Sequence, residues 1–340
     1  RTAGLPCAVT ITCLFYGAIS GSGPATTAAV GSMCIPLLPS VGYDLTFATA
    51  LVAVSGSLGI IIPPSIPYIM YCNASGASIS ELFLAGFLPG VLIALCLMVY
   101  SYIYCKIHGE DKDKLNAKCM ELRAKGLGTV LKEGFWALMS PVIILGGIYG
   151  GICSPTEAAT ISIFYSLIVS LFIYRTIKIR DLPKIMLEGI HSYAPILIIL
   201  SAAVAFARVI TLMNVATIVS EAVLSAISSK VVILLLINVL LLFVGMIMDT
   251  GPAILVFTPV LLPVAEAIGV DPIHFGIIMC VNLAIGFVTP PMGANLFVAS
   301  NLSKVSVFDI ARKAVPFILA FLIALLLITF VPQISMFLLQ

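Results

Sequence analysis

Charge is what this sequence has least of. Of 340 residues, 9% are Asp, Glu, Lys or Arg against 61% hydrophobic, and the mean hydropathy is +1.19. Soluble domains carry about 25% charge, so the shortage excludes a water-soluble enzyme. The balance is also nearly even, 17 basic against 15 acidic side chains, which leaves no basic field for nucleic acid. The three histidines, His108, His191 and His274, stand apart, and no His-Glu-x-x-His occurs. The nine cysteines are scattered through apolar stretches with no C-x2-C pair, so they read as small packing residues, neither a disulfide frame nor a metal site. Residues 4–19 are hydrophobic but lack the layout of a signal peptide.

What is present is a series of long apolar stretches. A crossing helix takes about 20 residues, so the chain has room for roughly ten crossings and is no single-pass receptor. The few charges are gathered. Seven basic and five acidic residues lie from Lys106 to Glu133, and Arg175, Lys178, Arg180 and Lys184 form a second cluster. Enrichment of Lys and Arg near cytoplasmic helix ends puts both inside. Two spans, 135–152 and 155–174, separate them, broken at Ser154-Pro155-Thr156-Glu157, and return the chain to the same side. The span 81–105 then places Asn73 to Ser80 outside, and 185–210 leads outward to an interfacial segment, 215–228, with Ile218, Ala222 and Ser225 on one face. Lys304, Arg312 and Lys313 mark the inner end of a final span, 314–338.

Two long stretches are interrupted by Gly and Pro, and their landmarks recur. Gly23-Pro24-Ala25, Val41-Gly42-Tyr43-Asp44 and Gly59 to Pro64 are matched by Gly251-Pro252-Ala253, Ile268-Gly269-Val270-Asp271 and Gly286 to Pro291, at an offset of 228 and then 227 residues. Six of the 24 positions from Val41 to Pro64 are identical in the second copy, and these include the Gly, Asp and Pro landmarks in the same order. Each copy reads as a re-entrant hairpin, 5–38 and 231–264, followed by a broken crossing, 45–72 and 273–300. Five crossings separate Asp44 from Asp271, an odd number, so the copies are inverted, the first hairpin opening from the cytoplasm and the second from outside. The expected fold is thus an all-α polytopic membrane protein with inverted repeats. Its parts are a first repeat over 1–80, scaffold and connecting helices over 81–230, a second repeat over 231–303, and an arm with a final scaffold helix over 304–340.

Paired interrupted segments of this kind point to the binding site of a secondary transporter, because irregular backbone at membrane depth is tolerated only where it is buried in protein or lines a polar cavity. A half-helix ending at midplane exposes carbonyls, which suit Na+; the next exposes N–H groups, which suit an anion. Pro24, Pro64, Pro252 and Pro291 fit the early positions of the restarting half-helices.

The runs Ser20-Gly21-Ser22-Gly23-Pro24-Ala25-Thr26, Gly59 to Ser65, Ser154-Pro155-Thr156-Glu157-Ala158-Ala159 and Thr289-Pro290-Pro291-Met292-Gly293 together resemble the large membrane (M, DctM-like) subunit of tripartite ATP-independent periplasmic (TRAP) transporters, over essentially the whole chain. The resemblance implies a multi-pass protein of the bacterial inner membrane and Na+-driven uptake of a small organic acid, a C4-dicarboxylate or a sialic acid. It further implies delivery by a periplasmic binding protein, a small Q membrane subunit, and an elevator-type motion of a transport domain against a scaffold. No cofactor beyond the coupling ion is implied. Family members have further helices before the first hairpin; this sequence opens at Arg1 directly on it, so part of the scaffold is expected to be missing and the chain is not expected to transport alone.

Each candidate residue also has a structural reading. Ser20, Ser22 and Thr26 at the first tip, and Thr250, which aligns with Ser22, either contact Na+ or substrate or simply cap half-helices and ease packing. Ser55 and its counterpart Asn282 are candidate oxygen ligands, joined by backbone carbonyls near Gly21, Gly59, Asp249 and Gly286 and by Thr289; Ser57 is a candidate for substrate. Asp249 and Arg208 are ionisable groups in apolar sequence and therefore functional candidates, against helix capping for the first and snorkelling to the interface for the second. Asn295 either hydrogen-bonds substrate or packs between helices. Glu157, Asp44 and Asp271 read as helix caps. An intramembrane enzyme would need a paired nucleophile and base, and a channel seldom needs inverted broken repeats, so both stand behind a Na+-coupled symporter subunit.

Overall fold

The computed structural model describes residues 2–124 and 126–339; Lys125, in the expected cytoplasmic loop 106–133, and the terminal Arg1 and Gln340 lie outside the described residues. The chain is helical, with no strand among the described residues. Its first apolar run is divided at Gly21-Ser22 into α1 (Gly4–Ser20) and α2 (Gly23–Ser40). Gly21 ends α1 at φ +60°, a left-handed conformation that glycine adopts without a Cβ penalty. Ser22 caps α2, and Pro24 sits in its first turn, where the missing N–H costs nothing. Asp44 caps α3 (Leu45–Gly56), its carboxylate accepting from the Phe47 N–H at 2.7 Å. A 3-10 turn over Ser57–Ile60 and an irregular stretch follow, until Ser65 caps α4 (Ile66–Ser75). α5 (Ile79–His108) is a long unbroken helix.

The middle of the chain forms α6 (Lys112–Ala124), α7 (Leu127–Tyr149), α8 (Pro155–Ile168) with a π-helical turn over Val169–Ile173, α9 (Leu182–Leu212) and α10 (Val215–Ala226). The second set is α11 (Lys230–Ile247), α12 (Thr250–Ala267), α13 (Pro272–Gly286), α14 (Ala294–Ser303) and α15 (Val307–Phe330). Asp271 caps α13 through the Ile273 N–H at 2.8 Å, as Asp44 caps α3. Six helices are long and apolar enough to cross a membrane, by length and composition, among the described residues: α5, α8 with its π turn, α9 with the turn before it, α11, α12 and α15.

Two compact units emerge, residues 1–114 with 203–340, and residues 115–202. In the second, α7 packs on α8, and the Tyr165 hydroxyl donates to the Trp136 carbonyl at 2.7 Å. Ser154 and Glu157 form a reciprocal capping box at the start of α8, which gives Glu157 a structural task.

In the first unit α3 and α13 lie at the centre. Every residue from Phe47 to Gly56 and from Ile273 to Gly286 is buried, which is why these helices read as hydrophobic on all sides. The remaining elements pack around them in matched pairs. α1 packs on α3 as α11 packs on α13, while the second hairpin arms cross over, α2 against α14 and α12 against α4. α5 and α15, grouped from sequence with the scaffold, also belong here: they pack on each other, α15 touches α3, and α5 touches α13. Pro89 of α5 and Pro316 of α15 sit at the 227-residue offset.

Several expectations shift. Pro64 and Pro291 do not start helices; each is the second residue of a cis Pro-Pro pair in the irregular break, and α4 begins after Ser65 with Pro67 in its first turn. Pro252, by contrast, is the third residue of α12, early in the helix as expected. Many prolines, among them Pro36, Pro39, Pro141, Pro195, Pro259 and Pro263, lie inside helices, as membrane helices tolerate more readily than soluble ones. α15 begins at Val307 instead of 314, so Arg312 and Lys313 are helical. The apolar count marks where hydrocarbon begins, but helical hydrogen bonding continues into the interface. For the same reason α6 and the start of α7 occupy much of the expected loop. On α10 Val215, Ala216, Val219, Ser220 and Val223 are partly covered, in a helix packed on α12, while Ile218, Ala222 and Ser225 are exposed.

Candidate functional site at the hairpin tips and helix breaks

The first tip gathers oxygen. Ser20 Oγ and Thr26 Oγ1 lie 2.7 Å apart, and both hydroxyls donate to the Ser22 carbonyl, at 3.2 and 2.8 Å. A Cβ placed on Gly59 would meet Thr26 Oγ1 at 2.3 Å and the Ser22 oxygen at 2.7 Å, so the tip oxygens close directly on the bare backbone at the end of the first half-crossing. The Ile66 N–H donates to the Gly21 carbonyl at 3.4 Å, tying the tip to the restart of α4. Ser20, Gly21, Ser22, Thr26 and Gly59, all chosen from sequence, are therefore brought together.

The second copy repeats the backbone part. The Met292 N–H donates to the Met246 carbonyl at 3.0 Å, again joining hairpin to break. A Cβ on Gly17 would lie 2.7 Å from the Gly59 Cα, and one on Gly286 would lie 2.2 Å from the Gly245 oxygen; these two glycine pairs are equivalent at the repeat offsets of 228 and 227. Close backbone approach through glycine is a usual way for membrane helices to associate. Ser55 and Asn282 also correspond. Ser55 Oγ lies 3.2 Å from Thr10 Oγ1, and Asn282 Nδ2 donates to Asn238 Oδ1 at 2.6 Å. Thr10 and Asn238 are themselves 228 residues apart. Asn238 continues to Thr329 Oγ1 of α15 at 3.1 Å.

Asn295 links the copies. Its Nδ2 donates to the Ala53 carbonyl at 3.0 Å and to Ser57 Oγ at 3.1 Å, with Asn295 and Ser57 both fully buried. Its Oδ1 is a buried acceptor with no donor among the described residues, and it faces Gly23, where an added Cβ would sit 3.2 Å away. Asn282 Oδ1 is a buried acceptor of the same kind, and the Thr27 hydroxyl is buried with neither a donor nor an acceptor among the described residues. A buried polar atom without a partner is costly. The donor set around the tips is hydroxyl, amide and carbonyl oxygen throughout, hard ligands of the kind that a monovalent cation takes, so these residues fit Na+.

The other candidates make only local contacts among the described residues. Thr250 opens α12, buried, its N–H donating to Asp249 Oδ1 at 2.8 Å. Asp249 itself is exposed and caps α12. Thr289 donates to the Ile285 carbonyl at 2.8 Å, half-buried just beyond α13. Arg208 is exposed on α9, and among the described residues no hydrogen bond or ion pair joins it to the tips.

Sequence reasoning passed over Thr10, Thr27, Asn238 and Thr329. The signal for two of them was legible: Asn238 is the one amide in an 18-residue apolar helix, and Thr10 stands at its repeat position. It also passed over Glu110, whose carboxylate accepts from the Ala3 N–H at 3.0 Å and from the Tyr43 hydroxyl, closing the open end of the first hairpin. Burial first, and that carboxylate second, push the Tyr43 phenol above its ordinary range.

Two broken helices at the centre of an all-helical, multi-pass membrane protein, each held by a hairpin, define a permease. A family model described as the tripartite ATP-independent periplasmic transporter, DctM component, matches residues 1–334, and the chain belongs to this family. It is 45% identical over 337 residues to the isethionate TRAP transporter permease protein DctMQ of Oleidesulfovibrio alaskensis, covering 98% of this chain and 52% of that protein. It is 38% identical to the C4-dicarboxylate TRAP transporter large permease protein DctM of Pseudomonas aeruginosa, over 98% of this chain and 77% of that one. It is 34% identical to the sialic acid TRAP transporter large permease protein SiaM of Vibrio cholerae, over 96% and 75%. The chain thus spans about half the length of the first relative and about three quarters of the other two. All three are named as TRAP transporter permease proteins, and the chain, with its six long apolar helices among the described residues, is a transporter permease of the same multi-pass membrane family.

Proposed function

We propose that the chain forms the translocating core of a Na+-coupled symporter for a small organic anion. The observation that carries the reading is the convergence of Ser20, Ser22 and Thr26 on Gly59, together with the crossed packing of each hairpin's second arm on the other copy's restarting half-helix. Carbonyls at the ends of α3 and α13, with the tip hydroxyls and Ser55, supply oxygen for Na+. The starting turns of α2, α4, α12 and α14 supply N–H groups and positive dipole ends for the anion. Ser57 and Asn295, which bond each other between the copies, and Asp249 are the polar candidates for orienting it, and Arg208 is the remaining cationic candidate.

Relatives named for isethionate, C4-dicarboxylate and sialic acid share an acidic head group, a carboxylate or a sulfonate, and that is the substrate class we assign. A small membrane subunit, separate or fused as in the DctMQ relative, and a periplasmic binding protein complete the system. The two copies are inverted in the bilayer, and the unit that holds them moves as an elevator. The test is reconstitution of the full-length permease with its small subunit and binding protein, followed by labelled uptake with and without a Na+ gradient. Uptake that requires the gradient supports the proposal, and uptake indifferent to Na+ overturns it.

A further inference from the structure

A groove on the pair α5 and α15 leads to two neighbouring cations. Leu95, Val99 and Ile103 of α5 and Pro316, Leu319 and Ile323 of α15 line an apolar cavity of about 380 Å³, and Leu95, Val99 and Ile323 are each more than half exposed. From Ile103 to Leu95 the groove descends about 12 Å along the helix axis, close to the depth of one leaflet's hydrocarbon, about 15 Å.

At the end of the groove by Ile103, Lys313 lies one turn before Pro316. Its ammonium sits 5.0 Å from the centroid of the Tyr104 ring, on which His108 stacks. Arg312 and Lys313 line an adjoining open pocket of about 470 Å³ with Thr46, Asp44 and Asp309. The Asp44 carboxylate is engaged by the Phe47 N–H, and among the described residues neither cation has an ion-pair partner within 4.0 Å. The Asp309 carboxylate shares that pocket, but it pairs with neither cation within 4.0 Å among the described residues, so the two cations above a one-leaflet apolar channel are left to meet a molecule with an anionic head and an acyl tail.

We propose that this groove binds an anionic phospholipid of the cytoplasmic leaflet, its phosphate held between Arg312 and Lys313 and one acyl chain lying between α5 and α15. Basic pockets between transmembrane helices on that side suit such head groups, and the aliphatic stem of Lys313 can stay in the apolar groove while its ammonium reaches the phosphate. A zwitterionic lipid brings its own cation to the same place and gains less.

The test uses the full-length permease purified in detergent. Phosphatidylglycerol should raise the melting temperature by on the order of 3 °C, phosphatidylcholine clearly less, and soluble glycerol 3-phosphate not at all. The double variant Arg312→Gln/Lys313→Gln should melt normally with phosphatidylcholine and lose the extra effect of phosphatidylglycerol. Ala320→Phe, which fills the groove and leaves the cations, should lose it too. Native mass spectrometry of the unaltered protein in an equimolar mixture of the two lipids gives a readout that needs no variant, with preferential retention of phosphatidylglycerol expected. Equal retention, equal stabilisation by both lipids, a full effect from glycerol 3-phosphate, or an undiminished effect in the folded double variant would overturn the proposal.

Discussion

Gly286→Ala adds one methyl group where two backbones touch. The new Cβ would lie 2.2 Å from the Gly245 oxygen, 2.4 Å from its carbonyl carbon and 2.7 Å from its Cα. An ordinary contact needs about 3.4 Å, so α11 and α13 must separate by about 1 Å, and no flexible side-chain end is available to give way. Overpacking of this kind costs about 1–3 kcal/mol. The same displacement takes the Asn282 to Asn238 hydrogen bond, now 2.6 Å, beyond the usual N–H···O range and strands buried amide groups, a further loss of about 1–3 kcal/mol. Against this, alanine gains at most about 1 kcal/mol in helix propensity, and less at the last residue of α13. The net expectation is a loss of roughly 2–4 kcal/mol, read as a fall in melting temperature of about 4 °C or more. The paired control is Gly146→Ala in the interior of α7, where nothing lies within 4 Å of the added atom and propensity alone should raise the melting temperature slightly. Gly17→Ala, with the Gly59 Cα at 2.7 Å, should fall between them. Thermal unfolding can be followed through the reactivity of Cys280, which is buried beside this contact region. If Gly286→Ala melts at or above Gly146→Ala, the backbone contact does not carry the weight assigned to it.

Three further outcomes are expected. Thr26→Val, which removes the hydroxyl bonded to Ser20 and to the Ser22 carbonyl, should raise the Na+ concentration for half-maximal uptake several-fold while Thr26→Ser leaves it near normal; an unchanged Na+ dependence in Thr26→Val would remove that residue from the ion site. Asn295→Ala deletes two buried hydrogen bonds, to the Ala53 carbonyl and Ser57 Oγ, and should destabilise by about 2 kcal/mol, measured by the same melt, with a shift below 1 °C counting against the link between copies. With native cysteines replaced, Ser78→Cys should be labelled from outside and Lys112→Cys only after permeabilisation, and the reverse pattern would invert the proposed orientation.

The breakers made the architecture readable because each has a local geometric duty. Gly21 supplies a left-handed turn, Ser22 and Asp44 cap helices, and the Pro-Pro pairs forbid helix, so order and spacing alone placed the helix ends and breaks around them within a few residues. Helix ends at the interface were less legible, since hydropathy reports solvent and not hydrogen bonding, and α15 accordingly starts seven residues before the expected span. The clustering of candidate oxygens was legible where residues are close in sequence, as at Ser20 to Thr26. Partners distant in sequence were not: nothing near Ser55 announces Thr10, and nothing near Asn295 announces Ala53, 242 residues away. The repeat offset could have supplied Thr10 and Asn238, because a contact made in one copy predicts its equivalent in the other. No such rule supplies Thr329, which enters through Asn238 alone.

That last contact bears on which helices move. Thr10 and Asn238 hold equivalent places, but a threonine hydroxyl is short and its partners lie within α1 and at Ser55, whereas the amide of Asn238 accepts from Asn282 and also donates to Thr329 of α15. His274 Nε2 lies 3.4 Å from the Thr329 carbonyl on the same helix. Sliding α15 past α11 and α13 would strand Asn238, Thr329 and His274, all buried, without partners, and membrane interiors offer no water to replace them. In the proposed elevator motion, therefore, α15 travels with the second copy. Its packing on α5, with α5 in turn against α1 and α13, carries both long helices into the moving body. If the unit moves as one body in the way proposed, cross-linking α5 to α15 through Cys96 and a cysteine introduced at Ala320, two residues that line the same groove, should leave uptake intact.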